Sequence, residues 1–301
     1  MRRNILMLAL SLALLPVVAW GQQQKAALPL TTQRDIYCSG MVTTDSVPRG
    51  TQLVSGEQSQ YKITFDQGDY VYINRGTNKG VKVGDVFSVM RPVDDVTGIK
   101  IQPLSLNYDY DEAWFASQGR LLHDMGQMWE DEGRLKVVMA YPSMSIAQIT
   151  DSCDFMQRGD VVEPFAERPV PELKSEVNFD RFAPPSGNKR GVIVIGKNFK
   201  SVSGTNDIVY VNLGSKQGLK VGDYVRFFRF QENGDSNVYQ TPNMGTDVWG
   251  FGTASGHYSG KDLPREVLGE GIVLRATPNA ATVLVTFSLR EIYDGDYCEL
   301  E

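Results

Sequence analysis

A 23-residue stretch occurs twice in the chain, and it constrains the fold more than any other feature. Residues 69–91 read DYVYINRGTNKGVKVGDVFSVMR and residues 207–229 read DIVYVNLGSKQGLKVGDYVRFFR, identical at 11 of 23 positions without a gap. Self-similarity at a fixed spacing marks a repeated structural unit, and the unit sets the architecture. In each copy apolar residues alternate with polar ones (Val71 and Ile73; Val209 and Val211), three glycines follow four apart, and a second apolar run closes the stretch. Alternation with β-branched residues predicts strands, and the Asn/Gly/Lys cluster between them predicts a turn.

The glycines are Gly76, Gly80 and Gly84, matched by Gly214, Gly218 and Gly222. Glycine suits positions of positive φ or of close backbone approach. Asp85 and Asp223 each follow a glycine just before the second strand, where a short carboxylate can cap backbone N–H groups. Asp69 and Asp207 recur in the same way and receive the same structural reading. A phosphate loop would need glycines opening a helix and a Gly-Lys-Ser/Thr run, neither of which the stretch offers.

Asn74 to Arg91 and Asn212 to Arg229 carry a likeness to a known family. They resemble the C-terminal domain of the flagellar assembly protein T family, and a wider set of secreted bacterial proteins, some with LysM modules. A fainter likeness is to the paired periplasmic β-barrels of the rod shape-determining MreC family. The resemblance implies a small exported β domain with a role in the cell envelope or in a surface appendage. No LysM repeat accompanies it in this chain.

Taken in order, residues 1–21 read as a signal peptide. Arg2 and Arg3 precede an apolar run from Ile5 to Val18, and cleavage after Gly21, with Ala19 the alternative, fits the small residues there. The run is short for a membrane span, so no transmembrane anchor is expected after cleavage. Residues 22–34 form a flexible lead, 35–165 a first β repeat, 166–190 a proline-rich linker and 191–301 a second β repeat. The fold class expected is all-β: two tandem barrel-like units, with a short helix within Asp111 to Met128 of the first unit's insertion. Five prolines between 164 and 190 predict an extended, semi-rigid strap. The closing turns also correspond, Pro142 with Pro278 and Gly159-Asp160 with Gly295-Asp296.

Net charge of −6 excludes a nucleic-acid partner, because nothing would neutralise phosphate. Three cysteines in an exported chain allow one bridge. Cys38 opens the first repeat, where the second has Val and Ile, and Cys153 lies just before that repeat's last strand. A Cys38–Cys153 disulfide is the expectation. Cys298, in the second repeat's final strand, reads as a small buried hydrophobe.

A catalytic set is hard to assemble. The two histidines, His123 and His257, lie in different repeats, no His/Cys cluster has zinc-ligand spacing, and no cofactor is expected. Asp109, Asp111 and Glu112 offer carboxylates for a carbohydrate-active enzyme, though such a run reads more simply as solvated loop charge. Arg158-Gly159-Asp160 spells an adhesion tripeptide, but only its Gly-Asp corner recurs in the second copy.

Loops on a rigid β scaffold are where recognition is usually placed, so the excursions 92–132 and 230–268 are the expected functional surface. Their aromatics Tyr108, Tyr110, Trp114, Trp129, Trp249 and Tyr258 are the candidate binding residues. The function expected is a non-enzymatic exported binding or scaffold protein of the bacterial envelope, periplasmic or extracellular. Its partner would be an envelope protein or peptidoglycan; oligomeric state stays open.

Overall fold

A computed structural model describes residues 32–93, 118–174, 179–230, 246–249, 251–253 and 264–301. The signal-peptide region, Tyr108, Asp109, Tyr110, Asp111, Glu112, Trp114 and Tyr258 lie outside the described residues. The described chain is mostly β, as expected, with helical turns at 118–125 and a short helix α1 (Gln33–Tyr37). Thr32 caps α1 through a reciprocal pair with Asp35. That helix falls across the boundary expected between flexible lead and first repeat.

The first unit contains β1 (Met41–Thr43), β2 (Leu53–Gly56), β3 (Thr64–Phe65), β4 (Tyr70–Ile73), β5 (Val86–Val93), β6 (Gln127–Ala140), β7 (Ser145–Ser152), β8 (Met156–Gln157) and β9 (Val161–Pro164). Its main sheet runs β2-β4-β7-β6-β5-β9, with β1 on the outer half of β6 and β3 paired to β8. A bridge between Gln52 and Val161 joins the two ends of that sheet. Leu53 N donates to Asp160 O at 2.9 Å and Val162 N to Thr51 O at 2.9 Å across the same seam.

The second unit contains β10 (Arg190–Gly196), β11 (Val202–Ser203), β12 (Ile208–Val211), β13 (Tyr224–Arg229), β14 (Thr246–Val248), β15 (Phe251–Thr253), β16 (Glu266–Ala276), β17 (Ala281–Ser288), β18 (Ile292–Tyr293) and β19 (Tyr297–Leu300). It is a closed barrel, β10-β12-β17-β16-β13-β19, with β11 paired to β18. Its strand order follows that of the first unit place by place. One boundary differs from expectation: the counterpart of β10 is β2, so the Cys38 segment precedes the matched strands of the first unit's sheet and belongs to neither order.

The doubled motif has the geometry its residues predict. A 3-10 turn follows the first strand in each copy, Thr77–Lys79 and Ser215–Gln217. A Cβ on Gly76 would overlap the Tyr141 carbonyl, and one on Gly214 the Thr277 carbonyl. Gly80, Gly84, Gly218 and Gly222 all have φ in the left-handed region. Asp85 accepts from Lys82 N and Asp223 from Lys220 N, each at 2.8 Å. Asp69 and Asp207 cap Asp66 N and Gly204 N in the same manner.

The motif's final arginine closes each unit. Arg91 forks onto Asp160 at 2.8 and 2.9 Å, and Arg229 forks onto Asp296 at 2.6 Å through both nitrogens. Bidentate pairs of this kind fix orientation as well as adding energy. Each guanidinium also covers an aromatic ring, Phe155 or Tyr293, at 4.9 Å. Asp160 is thereby buried and held, which explains why the Arg158-Gly159-Asp160 tripeptide is structural.

Each unit has its own apolar core. Leu53, Val71, Ile73, Phe87, Leu135 and Ile149 fill the first, and Val209, Val211, Val225, Phe227, Leu268 and Val283 the second. A third cluster joins the units, combining Val42, Met125 and Met128 with Val194, Ile195, Tyr210 and Ala280. The two equivalent strands show the consequence. In β4 buried and partly exposed residues alternate, whereas all four residues of β12 are buried. A strand covered on both faces loses the alternation that a half-solvated strand keeps.

The strap crosses this assembly in contact with it. Leu173 packs on Tyr224 and Leu274, Phe179 meets the Phe287 ring at 4.9 Å, and Arg265 donates to the carbonyls of Ala183 and Pro184. Lys174 covers the Tyr224 ring and pairs with Glu301.

Candidate functional site: the cleft between the two β units

The site is assembled by the segment that follows α1. Cys38 is bridged to Cys153 with Cα atoms 5.4 Å apart, the pairing expected from their places within the first repeat. This anchors residues 38–43 on the first unit, and their carbonyls then face the second. Tyr210 Oη donates to Ser39 O at 2.9 Å, Thr282 Oγ1 to Gly40 O at 3.2 Å and Thr277 Oγ1 to Val42 O at 2.6 Å. Gly40 has φ +68, and a Cβ there would meet the Tyr210 hydroxyl at 2.5 Å. Only glycine allows the two units to approach this closely.

Below this seam lies a buried ion cluster. Asp131, on β6, accepts from Gly40 N at 2.8 Å and from the Arg168 fork at 2.7 and 2.9 Å. Arg168 also donates to Ile36 O at 2.8 Å, so the strap, α1 and the first unit meet at one guanidinium. Burial alone would raise the Asp131 carboxyl, but Arg168 and Arg275 hold it below the ordinary carboxylate range. Arg275, from β16, is less well provided. Its Nη1 reaches Asp131 and Gly40 O only at 3.4 Å, and its Nη2 meets the Met41 thioether at 2.8 Å. Burial pulls the Arg275 guanidinium down to about 10, still cationic at neutral pH.

Arg168 and Arg275 stand at the edge of a cleft of about 360 Å³. The first unit supplies Met41, Val47, Met90 and Pro164 to its walls, and the second supplies Val221, Leu274 and Ala276. Ala166 and Pro169 of the strap complete it, and Ser88 and Glu163 are its other polar members. Burial raises the Glu163 carboxyl above the usual range. A concave, mostly apolar space with a few convergent polar groups is the form ligand sites take.

The aromatics expected to bind are not together. Trp129 is a core residue: it sits in β6 opposite Met41, is 1% exposed, and packs with Met90 and Val161 behind the cleft. Its ring is therefore closed to a partner, since the excursion ends where β6 begins, at Gln127. Trp249 is 94% exposed, in the turn between β14 and β15, with Phe251 beside it at 84%. Asp131 and Glu132, at the end of the acidic run, are buried in β6. The cleft itself was not expected from the sequence. A signal for the seam beside it exists in the unbroken apolar runs Val192 to Ile195 and Ile208 to Val211, which announce strands covered on both sides.

Among the described residues no group of His, Cys, Asp and Glu is placed to hold a metal ion, and no described helix is long and apolar enough to cross a membrane. Compared with known protein families and with curated protein sequences, the chain matches none.

Proposed function

We propose that the chain is a non-enzymatic, exported binding or scaffold protein of the bacterial cell envelope. The observation that carries this reading is the hairpin β14–β15, which holds Trp249 and Phe251 almost fully in solvent. Large aromatics on an exposed turn can stack on sugar rings or anchor protein partners. The disulfide suits an oxidising compartment outside the cytoplasm, in keeping with the signal-like segment at 1–21. The buried seam between the units supports the scaffold part of the reading, because it holds the walls of the cleft together as one body.

The test is co-sedimentation of residues 22–301 with purified peptidoglycan sacculi. Pelleting that survives moderate salt is expected, and Trp249→Ala/Phe251→Ala should abolish it without changing thermal unfolding. A supernatant that retains the wild-type protein overturns wall binding and directs crosslinking toward an envelope protein.

A further inference from the structure

We infer that the cleft between the two units binds a monocarboxylate carried on a compact apolar group, with Arg275 as the residue that receives the carboxylate. The argument starts from hydrogen-bond supply. An arginine presents five N–H donors in a fixed fork and no acceptor. Arg168 spends its fork on Asp131 and Ile36 O at 2.7 to 2.9 Å. Arg275 has only two oxygen contacts, both 3.4 Å, from a single nitrogen. Its Nη2 faces a thioether, a weak acceptor, and its Nε makes no hydrogen bond among the described residues. The Arg275 side chain is 19% exposed and lines the cleft, so its unused donors are open to an oxygen-bearing ligand there.

Charge narrows the ligand. Two guanidiniums against one carboxylate leave a single positive charge in excess at the cleft edge. Glu163 on another wall opposes a second negative charge. A monoanion matches, and a carboxylate matches the planar fork of arginine. Size and lining narrow it further. The volume, about 360 Å³, lies at the low end of small-molecule sites. Met41, Met90 and Leu274 offer walls for an aliphatic body, and methionine adapts to irregular shapes. A branched aliphatic residue at the free C-terminus of a peptide and a short fatty acid share this chemistry. The inference does not depend on the wall-binding reading.

The experiment is titration of the mature protein, labelled at methionine methyls, with N-acetyl-leucine, octanoate and N-acetyl-leucinamide. Saturable shifts of the Met41 and Met90 methyls by at least one carboxylate are expected, with the neutral amide weaker by about tenfold or more, the usual worth of one charge-assisted hydrogen bond. The tighter of the two carboxylates identifies the source, peptide terminus or free acid. Arg275→Gln should weaken binding by a similar factor. Because that change also touches the ion cluster, Val221→Trp provides an independent variant that fills the cleft from the opposite unit and leaves Asp131 alone. It should abolish the shifts while thermal unfolding stays at the wild-type temperature. Failure of both carboxylates at millimolar concentration, equal binding of the amide, or binding indifferent to both variants overturns the inference.

Discussion

Tyr210 of the second unit donates its buried hydroxyl to the carbonyl of Ser39, two residues short of the first strand, at 2.9 Å. Its counterpart in the other copy of the doubled motif, Tyr72, is only partly buried and makes no such bond. One conserved letter of the internal repeat therefore does two different jobs. Burial pushes the Tyr210 hydroxyl well above the ordinary tyrosine range, so it remains a donor at any physiological pH. Tyr210→Phe should cost about 1–2 kcal/mol of unfolding free energy, by loss of a buried hydrogen bond and its partner's satisfaction. Tyr72→Phe should change stability by less than roughly 0.5 kcal/mol, as surface substitutions do. Urea titration of the two variants side by side measures the difference, and equal effects would refute the assigned role.

Among the described residues, Asp131 is the only carboxylate at hydrogen-bonding or ion-pairing distance to both Arg168 and Arg275. Asp131→Asn should destabilise the protein by about 3–5 kcal/mol, because it leaves buried guanidiniums without a counter-charge. The pH consequence follows from the direction of the shift. A carboxyl held below its unfolded value contributes stability that is complete above that value and is lost as pH falls through the folded one. The wild type should therefore lose stability on acidification more steeply than Asp131→Asn, read from urea midpoints measured down the acid range.

Much of the fold could be read from the chain, and the site could not. Period-2 alternation, the three-glycine turn and the capping aspartates specify strands and corners locally, and Cys38 with Cys153 needed only compartment logic. The seam between units depends instead on which outer faces are covered. Nothing local tells Tyr210 from Tyr72, apart from the unbroken apolar runs beside the former. Asp131 and Glu132 sat in a run of acids that reads as solvated charge; the partners of Asp131, Arg168 and Arg275, lie 37 and 144 residues away, and Glu132 faces Arg91. Trp129 misled for a related reason. Aromatics counted within an excursion say nothing about where the next strand begins.

Glu132 occupies a bulge in β6, the residue skipped between the Val89–Gly133 and Met90–Asp131 pairs. The same bulge in the second unit, between Phe227–Gly269 and Phe228–Val267, holds Leu268, which is wholly buried in the core. Glu132 thus stands where the fold can take a leucine, its carboxylate 3.3 Å from Arg91 and without a hydrogen bond among the described residues. Burial raises its carboxyl to about 8. Between the unfolded value and this one the native state holds a proton that the unfolded chain has released, so stability falls as pH rises across that window. Asp294, raised to about 7 by burial, acts in the same direction. Glu132→Leu should raise stability at pH 8 more than at pH 5 and leave the smaller slope that Asp294 contributes. A pH dependence identical to wild type would refute the assignment.

The close approach at Gly76 and Gly214 gives the strictest test of the motif. Each glycine lies against the backbone of a closing hairpin, Tyr141 to Met144 in one unit and Thr277 to Ala280 in the other. Thr77 N and Asn78 N donate to Tyr141 O and Pro142 O at 2.9 and 3.0 Å, and Ser215 N and Lys216 N donate to Thr277 O and Pro278 O at 2.8 and 3.2 Å. A methyl group at either glycine would have to push the hairpin away and stretch both hydrogen bonds. Backbone cannot yield as the end of a long side chain can, so alanine at either site should cost about 1–3 kcal/mol or more, the range for overpacking a close-packed contact. Gly50 is the matched control: a Cβ there meets nothing within 4 Å. Gly50→Ala should leave stability within roughly 0.5 kcal/mol of wild type or raise it slightly, through the reduced freedom of the unfolded chain. Thermal unfolding of the three alanine variants separates these outcomes. If Gly76→Ala and Gly214→Ala unfold with Gly50→Ala, close packing is not why the two copies share that glycine.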